Sequence, residues 1–179
     1  TSASAPSDIQ LTRVSSAAGM RAAVHEQLAK ATVFIGAAAV ADYRPIAVSD
    51  QKIKKGDSSL TLQLERTPDI LSEVSAARHN GLLVIGFAAE SENVLNNAQK
   101  KLRSKNLDAI VANDITRPGV GFDTAMNEVT IISRDGKAPI HVPLMAKLNV
   151  ANIILDEIAR LRARTEQSPS LDHRRPQKA

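Results

Sequence analysis

Between Gly36 and Lys55 the chain brings together the groups needed to hold a nucleotide. An apolar segment, Val33-Phe34-Ile35, runs into Gly36-Ala37-Ala38-Ala39-Val40-Ala41, residues with almost no side chain. Small residues at the carboxyl end of a strand let a ligand lie against the backbone. A carboxylate (Asp42), a guanidinium (Arg44) and the ammonium groups of Lys52, Lys54 and Lys55 follow. Base and sugar would rest on the apolar floor and phosphates among the lysines. The polar-flanked segment around Lys52 reads as a flap able to swing ammonium groups over those phosphates.

Two further apolar runs end in the same way. One closes in Gly86-Phe87-Ala88-Ala89-Glu90, the other in Ala112-Asn113-Asp114. Ligands of open α/β sheets bind at the carboxyl ends of strands, so these three ends predict one shared crevice. Lys101 and Lys105 lie four apart on one helical face, with Arg103 on another, and two lysines there could hold a polyphosphate as point charges. His25, His79, His141 and His173 have neither metal-site nor triad spacing, so no protein metal site is expected. A divalent ion would arrive as Mg2+ carried by the nucleotide, held by phosphates and one or two carboxylates.

The elements that must position these groups alternate between strand and helix. Ile9 to Val14 reads as a short strand, followed by a Ser16-capped helix to about Ala29 with Met20, Val24 and Leu28 on one face. Thr32 to Ala37 is a buried strand, and Leu60, Leu62 and Leu64 alternate as a half-exposed one. Thr67-Pro68 reads as an N-cap and first helical residue, the helix running to about Arg78. Leu82 to Phe87 is a second buried strand, a Ser91-capped helix reaches about Lys105, and Asp108 to Ala112 is a third strand. Val129 to Ser133 and Ile140 to Leu144 form a hairpin around Asp135-Gly136, and a closing helix from Ala146 to about Arg162 carries Leu148, Ile153, Ile154, Ile158 and Leu161 on its apolar side. This order predicts a Rossmann-like, three-layer α/β domain with a mostly parallel sheet and a C-terminal β-hairpin. No G-x-G-x-x-G or Walker A pattern is present, so the usual opening strand, Gly-rich turn and helix is missing from the order.

Composition narrows the class. Apolar residues make up 43% of the 179 and aromatics only 2%, which calls for an aliphatic core of sheet and covering helices. The absence of Cys excludes a disulfide framework, a thiolate metal site and a Cys nucleophile. Part of the formal charge of +4 comes from Arg174, Arg175 and Lys178, which lie with His173 in a segment, residues 165–179, read as a disordered basic tail. With so few aromatics to stack on bases, nucleic acid is not the expected partner. No apolar run is long enough to cross a bilayer and no signal-peptide pattern is seen, so a cytoplasmic location is expected.

The ordered pieces Ala38-Ala39-Val40-Ala41-Asp42-Tyr43-Arg44, Lys52-Ile53-Lys54-Lys55, Thr67-Pro68-Asp69-Ile70-Leu71, Gly86-Phe87-Ala88-Ala89-Glu90, Lys101 through Asn106, Ala112-Asn113-Asp114 and Gly121-Phe122 closely resemble the bacterial phosphopantothenoylcysteine synthetase family, over roughly residues 8 to 160. In many bacteria that enzyme is the second half of a bifunctional coenzyme A biosynthesis protein, after a flavin-dependent decarboxylase half. The resemblance implies CTP-dependent ligation of 4′-phosphopantothenate and L-cysteine. The substrate carboxylate attacks the α-phosphate of CTP, pyrophosphate leaves, and the cysteine amine then displaces CMP from the acyl-cytidylate. It further implies that Gly36, Ala37, Ala38, Asp42, Lys52, Pro68, Asp69, Ile70, Leu71, Phe87, Lys101 and Lys105 contact the nucleotide. Lys52 would be the catalytic group stabilising the α-phosphate or intermediate, and Lys101 and Lys105 would hold phosphates. Phe87 and the Pro68 to Leu71 backbone would frame base and sugar. Asp42 either binds ribose or helps hold metal, and Asn113 carries no assigned role.

The family's upstream Gly-rich turn and its Asn-containing Ser-Ser-Gly-x-Met-Gly segment have no counterpart here. Ser15-Ser16-Ala17-Ala18-Gly19-Met20 looks similar but sits two elements too late and serves as a helix cap. Residues 1–164 are therefore read as a partial CTP-binding ligase domain, with a non-catalytic nucleotide-binding remnant as the alternative. A homodimer is expected, with the Leu60 to Leu64 strand as the contact.

Overall fold

The computed structural model describes residues 6–47, 51, 61–116 and 124–167. Lys52, Ile53, Lys54, Lys55, Leu60, Gly121, Phe122 and residues 168–179 lie outside the described residues. Helix α1 (Ala17–Leu28) starts where Ser16 Oγ accepts the Gly19 backbone N–H at 3.0 Å. It is followed by β1 (Val33–Gly36), β2 (Tyr43–Pro45), β3 (Leu64–Arg66), α2 (Ile70–Ala76) and β4 (Leu83–Glu90). Then come α3 (Val94–Ser104), β5 (Ala109–Asp114), β6 (Met126–Ser133), β7 (Ile140–Ala146) and α4 (Lys147–Gln167).

Five strands form one sheet in the order β1-β4-β5-β6-β7. β1, β4 and β5 are parallel, with Gly36 opposite Gly86 and Phe87 opposite Val111. β6 and β7 extend the sheet as the antiparallel hairpin. Helices cover both faces, which is why the central strands are almost continuously apolar. Alternate residues of β4 divide between them: Val84 packs with Leu28, Val74, Leu102 and Leu107, and Ile85 with Val111, Ile154 and Ile158. The first group belongs to the side of α1, α2 and α3, the second to the side of α4. This is the three-layer Rossmann-like arrangement expected. At the amino ends of the strands, Asp108 Oδ2 accepts the Val84 N–H at 2.7 Å and Oδ1 pairs with Arg78 at 3.1 Å.

Six expectations change. Ile9 to Val14 is not a strand: Ile9 and Leu11 are exposed, and alternation builds no strand without a neighbouring edge to bond. The helix expected at Thr67-Pro68 begins at Ile70, capped by Asp69, whose Oδ1 accepts the Ser72 N–H at 3.0 Å. Thr67 is held extended instead, its N–H donating to the Asp42 carbonyl at 2.9 Å. Ser91 does not cap α3; the N-cap position is taken by Asn93, with no capping bond from its side chain, in a left-handed conformation (φ 47°) that Asn tolerates better than most residues. Leu148 is 73% exposed, and the apolar side of α4 is carried by Val150, Ile154, Ile158 and Leu161. The strand expected at Leu60 to Leu64 is found at Leu64–Arg66. It pairs antiparallel with β2 in a separate two-stranded sheet, where Arg44 and Glu65 face each other at 2.8 Å. Helix α4 reaches Gln167, past the point at which the tail was expected to begin.

Candidate functional site

At the carboxyl end of β1 the chain opens into a cavity of about 410 Å3. Its floor exists because β1 ends in residues that fill nothing. Gly36, Ala37 and Ala38 line it, followed by Val40, Ala41 and Asp42 as the chain turns away. The opposite wall is the stretch Thr67 to Leu71 that enters α2, and the backbone bond from Thr67 to Asp42 ties the two walls together. Phe87 closes a third side from β4, and Lys105, just past α3, supplies an ammonium group.

The paired glycines of β1 and β4 set how closely α2 sits. A Cβ on Gly86 would lie 2.8 Å from Leu107 Cδ1 and 2.9 Å from Leu71 Cδ2. Leu71 can therefore settle over the sheet and form part of the cavity wall only because position 86 has no side chain. Gly36 leaves slightly more room, at 3.2 Å to Phe34 Cε1 and 3.4 Å to Leu71 Cδ1.

The charges are partly tied. Lys105 Nζ pairs with Asp69 Oδ2 at 2.8 Å, so one carboxylate both caps α2 and holds the cavity's cation. Burial alone would raise the Asp69 carboxyl, but the hydrogen bonds from Lys105 and Ser72 outweigh it and hold the group below its ordinary value. Asp42 is exposed at the mouth and has no ion pair among the described residues. Lys101 is not on the cavity wall; its Nζ lies 2.5 Å from Glu90 Oε1 at the end of β4. Asn113 stands beside Ala89 in the sheet register, also off the wall, and Arg44 is engaged with Glu65.

Of the residues singled out from the sequence, Gly36, Ala37, Ala38, Asp42, Pro68, Asp69, Ile70, Leu71, Phe87 and Lys105 meet in this one cavity. Lys101 stands one helical turn away from Lys105, and Lys52 lies outside the described residues. Met20 and Val24 of α1 also line the cavity, a role that sequence reasoning missed because their spacing marks equally well a helix face turned to the core. Among the described residues no cluster of three His, Cys, Asp or Glu side chains could hold a metal ion, and no helix is long and apolar enough to cross a membrane.

Fold and cavity together define a Rossmann-like α/β domain with its ligand crevice at the carboxyl ends of parallel strands. Over residues 1–161 the chain matches the family described as DNA/pantothenate metabolism flavoprotein C-terminal domain, and it belongs to that family. It is 47% identical over 152 residues to the coenzyme A biosynthesis bifunctional protein CoaBC of Bacillus subtilis, covering 85% of this chain and 37% of that protein. To the protein of the same name from Escherichia coli it is 40% identical over 157 residues, covering 86% of this chain and 38% of that one. The chain thus spans less than two fifths of the length of these relatives. Its fold superposes on the crystal structure of the C-terminal domain of a CoaBC protein with a TM-score of 0.73 at 36% identity, covering 93% of this chain and 71% of that one.

Proposed function

We propose that the chain is the nucleotide-holding part of a CTP-dependent phosphopantothenate–cysteine ligase, acting in the cytoplasm in coenzyme A biosynthesis. The observation that carries this reading is the convergence on one cavity of ten residues, the first and last of them separated in sequence by two helices and three strands, that the family resemblance assigns to nucleotide contact. Membership of a family whose relatives are named for coenzyme A biosynthesis supports it.

Chemically, a carboxylate is a poor acylating agent, and its attack on the α-phosphate of CTP expels pyrophosphate and joins one carboxylate oxygen to CMP, a good leaving group. The chain's task is to bind and orient more than to exchange protons. Base and ribose rest on the small-residue floor against Phe87 and the Pro68 to Leu71 wall. Lys105 and Lys101 take phosphate charge at the end of α3, and Lys52 approaches the α-phosphate from its own segment. A low-dielectric floor strengthens those contacts and keeps water from the mixed anhydride. Mg2+ carried by the triphosphate would offset further charge. Asp42 fits it as the uncommitted carboxylate of the wall, since Asp69 is already engaged with Lys105 and Ser72. Tyr43, Ile46, Leu62 and Leu64 expose apolar surface on and beside the β2–β3 arm, which we read as the contact of a homodimer.

Calorimetric titration of the chain with CTP, followed by an assay of CMP release in the polypeptide that carries it, tests the reading. CMP release that requires both phosphopantothenate and cysteine is expected. CTP binding without such release would leave a nucleotide-binding domain only, and the absence of both would overturn the proposal.

A further inference from the structure

Glu90 is the last residue of β4, three positions past the cavity residue Phe87. Its side chain is only 13% exposed, while its partner Lys101 is 45% exposed. Both carboxylate oxygens are engaged: Oε1 with Lys101 Nζ at 2.5 Å, Oε2 with Asn97 Nδ2 at 3.3 Å. Asn97 is itself fixed by donating to the Glu92 carbonyl at 3.0 Å. The carboxylate is thus the inner, anchored member of the pair and the ammonium the outer one. An ammonium has three protons, and this pairing uses one.

From these contacts we infer that Glu90 is a positioning residue for Lys101, fixing its ammonium one turn from Lys105, just beyond the cavity wall, to meet the polyphosphate as it extends out of the cavity. The inference rests on the nucleotide reading above. Lys101 in the last turn of α3 and Lys105 at its C-cap stand one turn apart, and each is tethered by a carboxylate from the element beside it, Glu90 for one and Asp69 for the other. A free lysine side chain loses much rotamer freedom when it is fixed on a ligand, and a tether removes that loss in advance. The opposite effect, repulsion of phosphate by Glu90, is the weaker one here. The carboxylate is turned inward, its charge is matched by Lys101, and an anion approaching from solvent meets the ammonium first.

Calorimetry with CTP and with cytidine, on the wild-type chain, Glu90→Ala, Glu90→Gln, Lys101→Met and the double variant Glu90→Ala/Lys101→Met, tests this. Glu90→Ala should weaken CTP binding about three- to tenfold, the share of lysine rotamer entropy expressed as affinity. Cytidine, which has no phosphate, should bind as before. Glu90→Gln, which keeps the side-chain volume and one oxygen acceptor, should fall between and guards against misfolding of the alanine variant. In the Lys101→Met background Glu90→Ala should add nothing further. Unchanged or tighter CTP binding by Glu90→Ala, equal losses for CTP and cytidine, or additive losses in the double variant would each overturn the inference while leaving the nucleotide reading intact. Wild-type chain that binds no CTP would remove the reading beneath it instead.

Discussion

Gly86→Ala tests the claim that a missing side chain builds the cavity wall. The added methyl would stand 2.8 Å from Leu107 Cδ1 and 2.9 Å from Leu71 Cδ2, both closer than real Cβ contacts allow. Leu107 is 0% exposed and has nowhere to go, whereas Leu71 is partly exposed and borders open space. The strain should therefore be relieved by displacing Leu71 toward the cavity. Inserting a methyl into a packed core costs about 1–3 kcal/mol, against which alanine in a strand recovers about 0.5–1 kcal/mol over glycine. The net loss is about 1–2 kcal/mol, and for a domain of this size each kcal/mol lowers Tm by about 2–4 °C. Urea unfolding followed by circular dichroism reads the stability, and CTP titration reads the wall. We expect both to fall, with affinity dropping several-fold because Leu71 would intrude on the space proposed for the nucleoside. Adding Leu71→Ala should return part of the stability lost through Gly86→Ala, since it removes one of the two opposing atoms. A variant as stable as wild type with unchanged CTP affinity would refute the packing argument.

Three further outcomes follow from the same reasoning. Lys52→Gln should slow turnover by about 100-fold, the scale of losing one transition-state donor, while weakening CTP binding far less; equal losses of both would contradict a role at the α-phosphate. Glu157 is 7% exposed, accepts from Ser133 Oγ at 2.6 Å, and is held below the usual carboxylate range chiefly by Arg160 in spite of its burial. Its stabilisation is therefore present above the ordinary glutamate value and is lost as pH falls through the lowered one. Glu157→Gln should cost about 2–3 kcal/mol at neutral pH, less than stranding a buried charge outright because Asp135 still pairs with Arg160. The gap to wild type should close in acid; a gap independent of pH in urea titrations at pH 7 and pH 3 would exclude the ion pair as its source. Leu64→Lys places a charge on the exposed β2–β3 arm and should shift the chain to monomer in sedimentation velocity; a persisting dimer would place the contact elsewhere.

What the linear chain determined is what depends on near neighbours. The apolar runs at Val33, Leu83 and Ile110 announced buried parallel strands because helices cover both faces, and the Asp135-Gly136 turn between alternating segments announced the hairpin. The small residues after Ile35 marked a floor before any partner for it was known. Family-like motifs then named the residues that would share it.

Tertiary structure decided which of those groups meet. Lys101 and Lys105 are equivalent by spacing, on one face of one helix. Yet one turn of rise places Lys105 against Asp69 on the wall and Lys101 against Glu90 beyond it. Thr67-Pro68 reads locally as a helix start, yet the cap falls to Asp69, because Thr67 is drawn into a backbone bond with Asp42 from a distant loop. Ile9 to Val14 alternates like a strand but finds no edge, and Met20 and Val24 look like core until β1 leaves the space above them open. Periodicity reports which face of an element is apolar. What that face meets, and whether the space there is filled, is set by strand order and by the two glycines that let α2 come down onto the sheet.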